Sequence, residues 1–251
     1  ATVNEGLFVK SQSEYADYYS DFDTWYGTLS NMDVTKTYKL NMGNNTDILE
    51  YSGMPADPST PIALSDGWNW VGYLPGLSFE INTALGSVSN GIFIKSQSEY
   101  ADYYSDFDTW YGTMTNMNPF EGYQINMSSN DVLVYPGDGF SRSIDSDERT
   151  TDEILFDFDY RQYEFNGVIT SSVNIDDIEI DESDILISYM NGECRGYTKP
   201  ILFPWTGDYI FPLMTYSSLV TEGPLVFKYY DSSDDQYYDL LETVNFESDM
   251  I

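Results

Sequence analysis

Histidine is absent from this sequence, cysteine occurs once, and only 10 Lys and Arg stand against 42 Asp and Glu. Without histidine, Ser-His-Asp and Cys-His catalysis and His-ligated zinc or iron centres are excluded. The lone Cys194 rules out an internal disulfide framework and a thiolate metal cluster. No glycine-rich phosphate loop is present, and no apolar run approaches the ~20 residues of a membrane helix. A formal charge of −32 repels phosphate backbones and anionic lipid surfaces, so neither nucleic acid nor membrane insertion is expected. Paired carboxylates of the glycosidase kind remain. Among so many acids, however, close pairs arise by chance, and we assign no enzymatic activity from them.

What is abundant is aromatic: 17% of the 251 residues, with Tyr 23, Phe 14 and Trp 5. Such side chains favour strands and bury large areas, so an all-β protein with more than one core is expected.

The organising feature is an unequal duplication. The stretch from Lys10 to Thr28 recurs letter for letter from Lys95 to Thr113. The likeness runs on more loosely from Leu29 to Met42 against Met114 to Met127, and from Asp47 to Tyr51 against Asp131 to Tyr135. Upstream of the second copy lie Ile62 to Leu64, then Gly67-Trp68-Asn69-Trp70-Val71-Gly72-Tyr73, then Phe79 to Val88. The alternation around Trp68 and Trp70 predicts a strand, and Phe79 to Val88 a short helical turn. Before the first copy only Ala1 to Glu5 occupy that place. The first module is therefore read as incomplete.

A module lacking a strand exposes a groove and unpaired sheet edges, which invite another chain. Trp68, Trp70, Val71 and Tyr73 are the candidate assembly residues. A heterologous contact of this kind makes rings or filaments. A clipped chain and a self-sufficient half-module are the competing readings of the same absence.

The expected layout is a truncated module (1–54), a complete one (61–137), an acidic linker (138–151) and a different C-terminal domain (152–251). Within the second repeat, strands are expected at Ile92 to Lys95, Tyr100 to Tyr104 and Tyr123 to Met127, with Trp110-Tyr111-Gly112 closing a turn. In the C-terminal domain, strands are expected at Ile154 to Tyr160, Tyr163 to Ile169, Ile185 to Met190, Cys194 to Tyr197, Tyr209 to Tyr216, Leu225 to Tyr230 and Thr243 to Phe246. Turn signals such as Asn191-Gly192 separate them. That spacing suggests tandem immunoglobulin-like β-sandwich modules, the first incomplete.

Two binding chemistries stand beside bland alternatives. Trp25, Tyr26, Trp110 and Tyr111 either form the same core twice or offer stacking platforms for glycans. Asp177, Glu179, Asp181 and Asp184 suit a structural calcium ion, while the alternation from Asp177 to Asp181 fits equally a strand with one wet face. Asn44-Asn45-Thr46 and Asn126-Met127-Ser128 match the N-glycosylation pattern, which in a bacterial protein is a weak signal.

The segment GWNWVGYLP (Gly67 to Pro75), followed by IFIKSQSEYADYYSDFDTWYG (Ile92 to Gly112) and GYQINM (Gly122 to Met127), resembles modules of secreted and cell-surface proteins of Bacteroidetes. The C-terminal NGECRG (Asn191 to Gly196) and its surroundings resemble a second such module. These resemblances imply an exported, multi-module, surface-attached protein of the type IX secretion kind. They imply no chemistry. The expectation is an extracellular structural subunit that polymerises with itself by donor-strand complementation; the alternative is a glycan-binding or adhesive module.

Overall fold

The computed structural model describes residues 6–43, 54–137, 156, 158–175 and 178–251. Within it the chain forms antiparallel sheets and almost no helix. It divides into two compact units, Ala1–Asp147 and Glu148–Ile251, and both repeat copies lie in the first.

The first copy builds four strands: β1 (Phe8–Lys10), β2 (Tyr15–Tyr19), β3 (Thr24–Gly27) and β4 (Lys39–Asn41), in the order β3-β2-β1-β4. The second copy begins with β5 (Ile62–Leu64), β6 (Gly67–Gly72), β7 (Phe79–Glu80) and the one-turn helix α1 (Ile81–Ala84). It continues through β8 (Gly91–Lys95), β9 (Tyr100–Tyr104), β10 (Thr109–Gly112), β11 (Asn116–Met117), β12 (Gly122–Met127) and β13 (Asp131–Leu133). Its main sheet is ordered β10-β9-β8-β12-β6. Position by position this is the first sheet with one strand added, and the added strand is the GWNW segment.

Identical letters give identical local structure. Tyr18 pairs with Trp25 as Tyr103 pairs with Trp110, and the ring centroids of each pair lie 5.2 Å apart. Tyr18 donates to Asp23 Oδ1 at 2.7 Å, and Tyr103 to Asp108 Oδ1 at 2.5 Å. Asp23 and Asp108 both adopt positive φ, 47° and 50°, a conformation that Asp tolerates better than most residues. The hairpin turns at these aspartates. Trp110-Tyr111-Gly112, expected to close a turn, instead forms β10; its aromatic residues suit a half-buried pleat, and the turn falls just before it.

One face of the second sheet is roofed. Ile94, Ala101, Trp110, Tyr123 and Ile125 share a core with Ile62 and Leu64 from β5, Ile81 to Leu85 around α1, and Leu133 and Tyr135 near β13. Tyr135 also donates a buried hydrogen bond to the Gly72 carbonyl at 3.1 Å. Complete burial of such side chains stabilises by about 1.5–3 kcal/mol each.

In the second unit, β14 (Phe165–Ser171), β15 (Ile185–Met190), β16 (Glu193–Thr198), β17 (Ile201–Leu202), β18 (Tyr209–Ser217), β19 (Thr221–Asp231) and β20 (Gln236–Glu247) form two sheets, β14-β18-β17 and β16-β15-β19-β20. Phe211 and Leu213 from the first sheet share a core with Leu186, Leu225, Phe227 and Phe246 from the second. Asn191 and Gly192, at φ 52° and 85°, make the two-residue turn between β15 and β16.

Two readings for this unit are corrected, and two expected strands are found within longer ones. The strand expected to end at Tyr160 is absent there, because Tyr160–Gln162 is a 3-10 turn whose start is capped by Asp159 Oδ1, accepting from Arg161 N at 3.0 Å; Ile154 and Leu155 lie outside the described residues. Ile178 to Asp181 form no strand either: both isoleucines pack on the core, and the chain then turns where Asp184 N donates to the Asp181 carbonyl. The strands expected at Leu225 to Tyr230 and Thr243 to Phe246 are parts of longer ones, β19 and β20.

Candidate functional site

The first copy presents the same apolar face, and among the described residues no counterpart of β5, β7 and α1 roofs it. Met32 is 62% exposed and its twin Met117 0%; Leu40 is 39% exposed and its twin Ile125 0%. Trp25, Leu29, Tyr38 and Met42 are half-buried, whereas Trp110, Met114, Tyr123 and Met127 are buried. Only Val9 and Ala16, at the centre of the sheet, are buried in both copies. A set of residues built as a core is thus partly open to solvent, and exposed patches of this kind mark interaction surfaces.

The sheet edges differ in the same way. In the second copy, Asn82, just inside α1, seals the outer edge of β10: Trp110 N donates to Asn82 Oδ1 at 2.6 Å, and Asn82 Nδ2 donates to the Trp110 carbonyl at 3.2 Å. Ile81 N donates to the Thr115 carbonyl at 3.0 Å, and β7 pairs with β11. Among the described residues no side chain takes the place of Asn82 at Trp25, and no strand pairs with Asn31-Met32. The expected assembly residues Trp68, Trp70 and Val71 lie on β6, with Val71 in the core and Tyr73 packed against it.

The outer edge of β6 is not vacant. Gln12, in the β1–β2 turn, lays its side-chain amide along it: Nε2 donates to the Trp68 carbonyl at 2.6 Å, and Trp70 N donates to Oε1 at 3.1 Å. Gly72 N donates to the Thr35 carbonyl at 2.9 Å, and Lys36 bridges Val71. The Lys39 ammonium sits 5.0 Å from the Trp70 ring centroid. Gly72 and Gly122 are paired across β6 and β12, and a Cβ on either would overlap the first copy, at the Val34 carbonyl and at Thr37 respectively. The first copy therefore closes the edge of the second while its own apolar face stays open. Gln12 and its identical twin Gln97 gave no sequence signal for this role, because the partner backbone lies far along the chain.

The repeated aromatics do not act alike. Trp110 is 4% exposed and serves the core, where no sugar can stack on it; Tyr111 is half-buried, Trp25 half-buried and Tyr26 74% exposed. Of the expected calcium ligands, Asp177 lies outside the described residues. Glu179 and Asp181 are exposed, while Asp184 is buried. The Asp184 carboxylate accepts from Tyr229 Oη, from Asp181 N at 2.7 Å, and from Ser232 N and Oγ at 2.9 Å each. Burial pushes this carboxyl upward, but those hydrogen bonds outweigh it and hold the group below its ordinary value. Its role here is to join β15 to the β19–β20 turn. Among the described residues no group of three or more His, Cys, Asp or Glu is placed to hold a metal.

Asp102 on β9 behaves oppositely. Desolvation raises its pKa to about 6, with Tyr104 alongside also pushed up, by burial first and then by the Asp102 charge. No family model, curated protein or solved structure matches the chain. Among the described residues no helix is long and apolar enough to cross a membrane.

Proposed function

We propose that the chain is a non-enzymatic structural subunit of an extracellular assembly, a filament of like subunits, built from tandem immunoglobulin-like β-sandwich modules. The incomplete N-terminal module is completed by a segment of a neighbour in the manner of donor-strand complementation. The observation that carries this reading is the paired exposure of Met32 and Leu40 against the full burial of Met117 and Ile125. Opening such a face costs roughly 25 cal/mol for each Å² of apolar surface left in water, a cost that association removes. Donor and acceptor differ, so the contact is heterologous and propagates. The strong negative charge keeps the dissociated subunits soluble.

The test is the size of the purified full chain, by light scattering and electron microscopy, with Leu40→Asp as the partner variant. Large species or filaments that the substitution dissolves, with the second module still folded, support the reading. A wild-type chain that stays monodisperse and monomeric at all attainable concentrations refutes it.

A further inference from the structure

Three hairpins, β2–β3, β9–β10 and β19–β20, are built alike. In each, a tyrosine donates to the Oδ1 of an aspartate five residues on: Tyr18 to Asp23 at 2.7 Å, Tyr103 to Asp108 at 2.5 Å and Tyr230 to Asp235 at 2.9 Å. Each aspartate turns the chain at positive φ, 54° at Asp235. The residue two places further on then pairs back across the hairpin with the tyrosine. That residue is Trp25 in the first hairpin, Trp110 in the second and Tyr237 in the third. Of these three hairpins, only the last sets phenol against phenol. We infer that Tyr230 and Tyr237 are an oxidative cross-linking site, where a peroxide oxidant drives formation of a carbon–carbon bond between the two rings. The inference is independent of the assembly reading above.

The two rings are held together and open to reagents. Their centroids lie 4.8 Å apart and their planes 42° apart, close to the arrangement of two directly joined rings in a biphenyl. Register is pinned beside them: Lys228 pairs with Asp239, and the two side chains form a salt bridge at 2.8 Å. Tyr237 is 54% exposed and Tyr230 half-buried, so an oxidant reaches the outer ring, and the inner one lies in contact with it. In the pairs Tyr73–Tyr135, Tyr160–Tyr216 and Tyr229–Tyr238 one ring is buried. A chain with one cysteine closes no disulfide within itself, and a bond between these rings would clip the end of its long β19–β20 hairpin covalently.

The step balances as follows. Each phenol gives up one electron and its hydroxyl proton and becomes a phenoxyl radical, with unpaired spin on the ring carbons next to the oxygen. The Asp235 carboxylate, already accepting from Tyr230 Oη, is placed to take that proton; the Tyr237 proton goes to water. Two such ring carbons, one Cε from each residue, join. Each then loses its hydrogen as a proton while its oxygen regains one, which restores both phenols. In sum two electrons and two protons leave the pair. Hydrogen peroxide takes up both, its O–O bond breaks, and two waters form.

The test treats the full chain, dilute so that coupling within a chain outpaces coupling between chains, with hydrogen peroxide and a haem peroxidase. The product is cut by a protease specific for Asp and read by mass spectrometry. Asp231, Asp234 and Asp235 lie between the two tyrosines, so cutting separates them unless they are joined. The expected product is a single chain lighter by two hydrogens, fluorescent as dityrosine, whose Tyr230 and Tyr237 fragments stay together. Tyr237→Phe, which keeps the ring, is expected to abolish that joined fragment. Trp25→Tyr sets a second phenol opposite Tyr18 and is expected to add a second joined pair, with the loss of two further hydrogens. Coupling only between chains, coupling only at other tyrosines, or no coupling at all overturns the inference. A joined fragment that persists in Tyr237→Phe overturns it too, and no second pair in Trp25→Tyr overturns hairpin geometry as the cause.

Discussion

Met32 and Met117 are the same residue at matching places of a duplicated sheet, so truncating each in turn isolates the effect of the roof. Met117 is fully buried in the core beside Met114 and Tyr123, while Met32 is 62% exposed. Buried methionine truncations cost about 2–5 kcal/mol, and surface changes away from special features usually stay within about 0.5 kcal/mol. Met117→Ala is therefore expected to lower the stability of the first unit by at least about 2 kcal/mol in denaturant titrations of the dissociated chain. Met32→Ala should fall within about 0.5 kcal/mol under the same conditions. Under the proposed assembly the order changes: Met32→Ala is expected to raise the concentration needed to assemble, because the proposal buries that side chain only there. Equal costs for the two variants in the dissociated chain would refute the reasoning, since they would mean that Met32 is already covered within its own subunit.

Further tests use the polar groups. Asp102, with a pKa of about 6 against an ordinary 3.8, holds a proton in the native state that the unfolded chain has released. Stability is thus lost as pH rises from about 4 to about 6. The loss is at most about 3 kcal/mol, and less because the residue is partly solvated. Asp102→Asn should flatten thermal stability across that window and raise it at neutral pH. Glu222→Ala leaves the buried Arg195, now 3.3 Å from that carboxylate, without its main partner; a loss of about 3–5 kcal/mol in the second unit is expected by calorimetry. Gln12→Ala strips two contacts from the edge of β6 and should speed hydrogen exchange at Trp70; an unchanged rate there would contradict the edge-sealing role.

The duplication, the GWNW strand and most of the second-unit strands were legible because they rest on local patterning. The smaller strand number of the first sheet among the described residues follows the same way, since no counterpart of the GWNW segment stands before it in the letters given. Burial was not legible. Lys10 to Thr28 and Lys95 to Thr113 have the same letters, yet Lys95 is buried and Lys10 only half so, because burial belongs to what covers a segment rather than to the segment. Trp110-Tyr111-Gly112 reads as a turn through its glycine, whereas the backbone turns at Asp108, whose positive φ no local pattern announces. Asp184 drew the expectation of calcium through its acidic neighbours. Its actual partners, Tyr229 and Ser232, lie on a strand and turn far along the chain.

The central claim is that the first copy becomes as covered as the second only when subunits meet. Hydrogen exchange of residues 29–42 and 114–127, measured in assembled material and again after dissociation, tests it directly. Exchange at 29–42 is expected to be fast in the dissociated chain and to slow to the level of 114–127 on assembly. Exchange that stays fast at 29–42 in assembled material would contradict the account.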